Sequence, residues 1–206
     1  MLRLAAWRGT DPDRLDSAWL DRHSSSLSAH GTSLTRDYHL HYFLETGHDW
    51  ITRRLDVRAS GNGWWRTLAL VRGPSGHWSA KADSGGIQPT VDPAPTTPID
   101  TDALADALDC DLGLCPLTNT MPVLRHGLLD AALQGHDRTE VLTMAWVSVP
   151  DLNVFASPQS YSAAGTTADG TALIDFQSGD FAEQIEIDRE GLVVKYPKIG
   201  HRLAID

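Results

Sequence analysis

The sequence predicts an all-β protein, built as a barrel or roll of many short strands with little helix. Alternation of apolar and polar residues, the period of a strand, recurs on both sides of one helical stretch. Turn residues separate these segments at short intervals, and Ser60-Gly61-Asn62-Gly63 is the strongest such signal. The chain has 206 residues, 41% of them hydrophobic, which is enough to bury a substantial core.

The N-terminal half contains several strand-like segments. Tyr38 to Leu44 alternates, and Ile51 to Val57 alternates after a turn at Thr46 to Asp49, so these two segments predict a hairpin. Residues 11–23 carry apolar side chains at near-helical spacing, and residues 24–31 predict a turn-rich connector. Strands are therefore predicted in this half over residues 3–7, 38–44, 51–57, 65–71 and 77–80.

A segment rich in Pro, Thr, Asp and Gly follows, over residues 81–98. Its composition predicts a loop, either an interdomain linker or a surface excursion within one domain. Residues 100–107 carry Asp100 or Thr101 as a possible cap before an Ala-rich run, which predicts a short helical turn.

The stretch from Leu108 to Leu128 is the most unusual part of the sequence. Asp109 and Asp111 alternate with apolar residues, so a strand here places both carboxylates on one face. Thr120 can cap a helix whose second residue is Pro122, where the missing N–H costs little. We therefore expect the principal helix over residues 120–129, with Val123, Leu124, Leu128 and Leu129 on its apolar face.

The C-terminal part returns to strand-like segments. Asp188-Arg189-Glu190-Gly191 predicts a hairpin turn between the last two of them. The predicted strands cover residues 139–149, 153–157, 160–163, 172–177, 181–187 and 192–196.

Two motifs of the central stretch carry a family resemblance. Asp109-Cys110-Asp111-Leu112, followed by Pro116-Leu117-Thr118-Asn119-Thr120-Met121-Pro122-Val123-Leu124-Arg125, resembles the signature of a bacterial family described as putative glycolipid-binding proteins. Members usually have Thr-Asn-Thr-Leu-Pro-Ile-Arg-Arg, and Met121, Val123 and Leu124 depart from that run. The segments at Tyr38 to Val57, Val149 to Val154 and Gly191 to Pro197, with His201-Arg202, also resemble the family in the right order.

The resemblance implies a fold and a function. The fold is a spiral β-roll, a long curved, mainly antiparallel sheet wrapped around a single α-helix, with residues 1–206 as one domain. For residues 11–23 it implies strand or irregular structure rather than helix. The implied partner is a glycolipid or another amphipathic small molecule, with an apolar tail in the roll and a polar head at its site.

Arg53 is the first candidate for that polar site. It alternates with Ile51 and Leu55, so we expect its guanidinium on the inward face, and an unpaired buried charge is costly. The pattern therefore predicts a contact between Arg53 and Asp109 or Asp111. The alternatives are a shifted strand register that places Arg53 at the rim, or a purely structural ion pair.

The other candidate ligand-binding residues are polar or aromatic and lie in the segments that carry the resemblance. Thr-Asn-Thr supplies hydrogen-bonding groups for sugar hydroxyls, and indole rings stack on sugars or line lipid cavities. The same polar groups also suit helix capping and the satisfaction of buried backbone groups. The candidates are Trp50, Asp109, Asp111, Thr118, Asn119, Thr120, Arg125, Tyr196 and Arg202.

Composition and motifs argue against several functions. A net charge of −10 argues against DNA or RNA as a partner, and no apolar run reaches membrane-spanning length, so we expect no membrane insertion. Cys110 and Cys115, the only cysteines, suit a reducing, cytoplasmic location and lack zinc-ligand spacing, so no metal or cofactor is predicted. The sequence lacks G-x-S-x-G, H-E-x-x-H and phosphate-loop motifs. The rival hypotheses are a hydrolase that uses carboxylates with His39 and His41, and a structural protein without a cavity.

Overall fold

One continuous sheet of fourteen strands dominates the computed structural model, which describes residues 2–86 and 99–205. The strands in chain order are β1 (Leu2–Thr10), β2 (Asp13–Arg22), β3 (Leu27–Leu34), β4 (Tyr38–Thr46), β5 (Thr52–Gly61), β6 (Trp64–Arg72), β7 (Trp78–Gly86), β8 (Asp109–Leu112), β9 (Thr139–Val147), β10 (Val154–Thr166), β11 (Ala172–Ser178), β12 (Phe181–Ile187), β13 (Val193–Tyr196) and β14 (Gly200–Arg202). Two short α-helices lie between β8 and β9: α1 (Thr120–Arg125) and α2 (Leu128–Gln134).

The two ends of the chain meet in the middle of the sheet. The strand order is β7-β6-β5-β4-β3-β2-β1-β14-β13-β12-β11-β10-β9-β8, and β1 pairs with β14 through Trp7 and Arg202. All pairings are antiparallel except that of β8 with β9, which is parallel. The sheet is thus open, with β7 and β8 as its edges, and the predicted all-β fold with a long, mainly antiparallel sheet is confirmed.

Alternation produces the strands of the N-terminal half as predicted. Leu40, Tyr42 and Leu44 are buried on β4, and the residues between them face outward. The predicted hairpin of β4 and β5 forms, with Leu44 opposite Leu55. Burying one face fixes the register, because a shift by one residue exchanges the two faces.

Three N-terminal segments differ from the local patterns. Residues 11–23 contain β2 rather than a helix, and the predicted connector at residues 24–31 contains the start of β3. Gly31 lies on the buried face of β3, where a Cβ atom would lie 2.1 Å from the Tyr42 ring, so glycine here serves sheet packing rather than a turn. The loop predicted over 81–98 begins as strand, since β7 extends to Gly86, and residues 87–98 lie outside the described residues.

The C-terminal half contains one strand where two were predicted. β10 runs through Pro158, a residue that normally interrupts a strand. Pairing with β11 begins only at Ser160, so Pro158 lies where one side of β10 has no ladder to disrupt. β14 was not predicted, because three residues are too few to show an alternation.

The helical segment begins at Thr120 as predicted, but it is two helices rather than one. Gly127 adopts φ 59°, a left-handed conformation that ends α1 and starts α2. Thr120 does not cap α1: its backbone is helical, a 3-10 turn over Pro116–Asn119 precedes it, and its buried Oγ1 has no hydrogen-bond partner among the described residues. Apolar side chains of both helices pack against the curved C-terminal half of the sheet. They are Val123, Leu128, Leu129 and Ala132.

Candidate functional site

Strand β8 places two carboxylates at the junction between the sheet and the helices. Asp109 contacts α1 and Asp111 contacts the 3-10 turn, as their alternation on one strand face predicts. Cys110 lies between them and faces the other way, toward Thr52 of β5. The strand therefore directs both acids toward the C-terminal half of the molecule.

Asp109 forms a buried, bidentate ion pair with Arg125. Arg125 Nη1 donates to Asp109 Oδ1 and Nη2 donates to Oδ2, with a distance of 2.5 Å in each case. Asp109 is fully buried and the Arg125 side chain is 9% exposed. Burial raises the pKa of Asp109, whereas the hydrogen bonds and charge of Arg125 lower it. Each terminal nitrogen of the guanidinium pairs with one carboxylate oxygen, which is the geometry that these two groups favour.

The predicted contact between Arg53 and Asp109 or Asp111 is wrong. Arg53 is exposed, because the β4–β5 pairing shifts between Glu45–Arg54 and Thr46–Thr52 and leaves Arg53 as the extra residue of a bulge. Thr52 takes the inward position instead, and its Oγ1 accepts a hydrogen bond from the Cys110 backbone N–H over 3.1 Å.

Uncharged side chains form a network of hydrogen bonds around Asp111. Thr118 Oγ1 donates to its Oδ1 and Gln159 Nε2 donates to its Oδ2, both over 2.8 Å. Tyr161 O–H in turn lies 2.9 Å from Gln159 Oε1 and 3.2 Å from Asn119 Oδ1. Burial raises the pKa of Asp111, and these hydrogen bonds lower it by a smaller amount. The network fixes the orientation of Asp111 without supplying a countercharge.

Asp111 lies on one side of a cleft of about 620 Å³. This volume falls within the range of small-molecule sites, roughly 300–1,000 Å³. One part of the cleft is aromatic: Phe176, Phe181 and Tyr196 meet edge to face, with ring centroids 5.8–6.1 Å apart. Another part is polar, with Asn119 and Asp151 among its side chains. The cleft therefore has the two chemically different surfaces that an amphipathic ligand needs.

A buried arginine ties two walls of this cleft together. Arg14 Nη2 donates to the backbone oxygen of Leu114 over 2.7 Å and to that of Ile199 over 2.8 Å. Its Nε pairs with Asp16 Oδ2 over 2.9 Å, and the Arg14 side chain is fully buried. Leu114 and Ile199 come from distant parts of the chain, so Arg14 couples the position of one wall to that of the other.

Three of the ten predicted site residues line the cleft: Asp111, Asn119 and Tyr196. Thr118 and Arg125 support it from behind through Asp111 and Asp109. Trp50 is buried elsewhere, with the Arg22 guanidinium 5.4 Å from its ring centroid, and Arg202 pairs with Asp188. The structure thus brings together part of the predicted set and separates the rest.

Sequence reasoning missed most of the cleft. Gln159 follows a proline that the local pattern treats as a break, so its place on a buried strand face was hidden. Phe176 and Phe181 fall within predicted strands. Trp146 is one of seven tryptophans that could stack on a sugar or line a lipid cavity, and the local pattern does not distinguish it from a core residue. The other missed lining residues are small, polar or aliphatic, and all except Ser157 of β10 lie on loops or strand ends: Leu112, Gly113, Leu114, Cys115, Ser148, Val149, Asp151, Ser157, Ser178 and Ile199.

The cysteines and histidines of the described chain do not form a reactive or metal-binding group near the cleft. Cys110 and Cys115 are free thiols, and burial raises the pKa of Cys115 to about 11. Within residues 2–86 and 99–205, no three His, Cys, Asp or Glu side chains group as metal ligands. His39 and His41 face outward on β4, and no histidine of the described chain lines the cleft. Among the described helices, none is both long and apolar enough to cross a membrane.

Comparisons with known proteins agree with this fold. A family model described as putative glycolipid-binding matches residues 4–202. The crystal structure of a DUF1089 family protein from Pseudomonas aeruginosa superposes with a TM-score of 0.63 at 22% identity, covering 91% of this chain and 92% of that one. No curated protein matches the chain.

Proposed function

Because the chain belongs to the putative glycolipid-binding family, we propose that the 620 Å³ cleft binds one amphipathic glycolipid. The observation that supports this most directly is the meeting of an aromatic wall and a polar wall in one cavity. An apolar ligand would leave the polar wall unpaired, and a free sugar would leave the aromatic wall in contact with water.

The aromatic wall suits the apolar part of the ligand. Phe176, Phe181 and Tyr196 present ring faces and edges, and Ile199 extends this surface. Burial of apolar ligand surface here contributes roughly 25 cal/mol per Å². The wall belongs to the C-terminal half of the sheet, where the packed helices support it from inside.

The polar wall suits uncharged sugar hydroxyls. Its charged members are the carboxylates of Asp111 and Asp151, and the described lining contains no Lys, Arg or His. Carboxylates accept hydrogen bonds from hydroxyl groups and repel phosphate or sulfate. The ligand proposed is therefore a glycolipid with a neutral glycosyl head group, rather than the anionic head group that an inward Arg53 would have favoured.

A matched pair of substitutions tests the location of the site. Ile199 lines the cleft, whereas Ile205 is 46% exposed near the C-terminus. Ile199→Asp places a charge in the apolar wall and is expected to weaken binding of digalactosyl dioctanoylglycerol about tenfold or more. Ile205→Asp is expected to leave it unchanged, with both dissociation constants measured by isothermal titration calorimetry.

Melting temperatures separate a local effect from a folding defect in this pair. Phe181→Ala provides a second cleft variant, since it removes aromatic surface without adding a charge. If wild-type protein does not bind the lipid, or if all three variants bind it equally well, the cleft is not the site.

A further inference from the structure

A second concave surface lies on the outer face of the sheet, away from the cleft. It spans strands β3 to β7, encloses about 540 Å³ and shares no lining residue with the cleft. Its side chains alternate along each strand with residues of the core, such as Tyr42 and Leu68. We call this surface the outer groove.

Strand register aligns the side chains of the outer groove in two straight rows. One row runs from His30 through Phe43, Asp56 and Ala69 to Lys81, each residue opposite the next. The parallel row, two residues along, contains His41, Arg58, Thr67 and Asp83. Four strand spacings separate the ends of the first row, from His30 to Lys81, roughly 19 Å. The groove is therefore elongated across the strands.

One end of the outer groove is aromatic. The rings of His30 and Phe43 lie 4.8 Å apart between centroids, and Trp19 continues the same row opposite His30. Trp19 is 52% exposed, which is high for an indole. A row of rings that are exposed to solvent is suited to stacking against flat, partly apolar ligand surfaces.

The remaining part of the outer groove carries balanced charges. Arg58 and Lys81 supply donors, and Asp56 and Asp83 supply acceptors. Beside the groove, Arg54 Nε donates to Asp56 Oδ2 at 2.6 Å, and Arg54 lies opposite Glu45. With Arg54 and Glu45 included, three cations and three carboxylates cancel, so the groove has no electrostatic preference for a strongly charged ligand. Thr67 and Ala69 are small and leave space between these long side chains.

We propose that the outer groove binds an unbranched neutral oligosaccharide that lies across the strands. Such a chain presents apolar ring faces to the aromatic end and hydroxyl groups to alternating donors and acceptors. The length of such a chain matches the elongated groove, and its lack of charge matches the balanced charges of the groove. The inference is independent of the function proposed for the cleft, because the two surfaces share no residue.

Amide chemical shifts of the ¹⁵N-labelled full chain test this proposal. Maltohexaose, cellohexaose and xylohexaose are each titrated, with hexagalacturonate as the anionic counterpart. At least one neutral chain is expected to shift the amides of Thr67, Ala69 and Lys81 while leaving those of Asn119 and Ser178 unchanged. The proposal is overturned if none of the three shifts the groove amides, or if hexagalacturonate binds as tightly as the best neutral chain.

Substitutions of exposed residues then test which side chains contribute to the affinity for the oligosaccharide. Trp19→Ala and Asp83→Ala remove a ring and an acceptor and are each expected to weaken binding of the active oligosaccharide about tenfold. Phe155→Ala is the matched control, since Phe155 is 53% exposed on β10, outside the groove. Equal weakening by Phe155→Ala and Trp19→Ala would contradict the assignment.

Discussion

Asp111 is a partly buried acid whose hydrogen bonds come from uncharged donors. Thr118 and Gln159 hold its two oxygens, and burial raises its pKa above the ordinary value of 3.8. Ionised Asp111 therefore costs folding free energy, in contrast to Asp109, which has Arg125 as a partner. A destabilising charge beside a cleft is typical of a functional group, and we propose that Asp111 accepts a hydrogen bond from a ligand hydroxyl.

Asp111→Asn is expected to stabilise the free protein at neutral pH, because it removes a partly buried charge that has no countercharge. Its carbonyl can accept from Gln159, and its amide can donate to Thr118 Oγ1, which still donates to the Cys115 carbonyl. Because the folded pKa is raised, the wild type loses stability as pH rises from the unfolded value toward the folded one. The stability gained by the variant should therefore grow over that window and stay constant above it.

Urea unfolding at a series of pH values measures this difference. Asp180→Asn is the control, since Asp180 is exposed in the turn between β11 and β12 and stays hydrated in both states. A variant that is less stable than wild type at pH 7 would show that the charge of Asp111 stabilises the fold.

Arg125 is expected to matter far more to stability than Arg53. Arg125→Met leaves Asp109 buried without its partner and should cost about 3–5 kcal/mol. Arg53→Met changes an exposed bulge residue and should stay within about 0.5 kcal/mol. Denaturant unfolding compares the two directly.

The double variant Arg125→Met with Asp109→Leu provides the control for the pair. It removes both charges together, so it should recover much of the stability lost in Arg125→Met. If Arg53→Met loses as much stability as the roughly 3–5 kcal/mol expected for Arg125→Met, the outward position of Arg53 is wrong.

At the scale of elements, the hairpin turn between β12 and β13 is fitted to α1. Gly191 ends the turn with φ 84°, and a Cβ atom there would lie 2.8 Å from Leu124. The helix therefore packs against a strand turn through a glycine, which lets the sheet approach α1 closely. Gly179, in the preceding turn, has φ 56° and nothing within 4 Å of the corresponding position.

These two glycines separate backbone strain from packing. Gly179→Ala should cost about 1 kcal/mol, from its left-handed conformation alone. Gly191→Ala adds the overlap with Leu124 and should cost roughly 1–3 kcal/mol more. In a Leu124→Ala background the extra cost should disappear, as measured by a double-mutant cycle. An unchanged cost there would show that Leu124 does not limit the approach.

For the whole molecule, local patterns predicted the strands better than the site. Period-2 alternation and turn residues suffice to locate β4, β5 and β6, since one face of each is buried. The cleft instead depends on long-range pairing: β8 lies beside β9, and Gln159 reaches Asp111 from β10. Such contacts join residues far apart in sequence, and a single bulge was enough to turn Arg53 outward.

For the molecule as a whole, we propose that a cleft with carboxylates and no cation in its described lining binds a glycolipid with a neutral head group. Native mass spectrometry with equimolar monogalactosyl diacylglycerol and sulfoquinovosyl diacylglycerol tests it, since both lipids carry one sugar ring on diacylglycerol and differ in head-group charge. We expect the monogalactosyl complex to dominate by about tenfold or more, because Asp111 and Asp151 repel the sulfonate. A sulfoquinovosyl complex of equal or greater abundance would contradict the account.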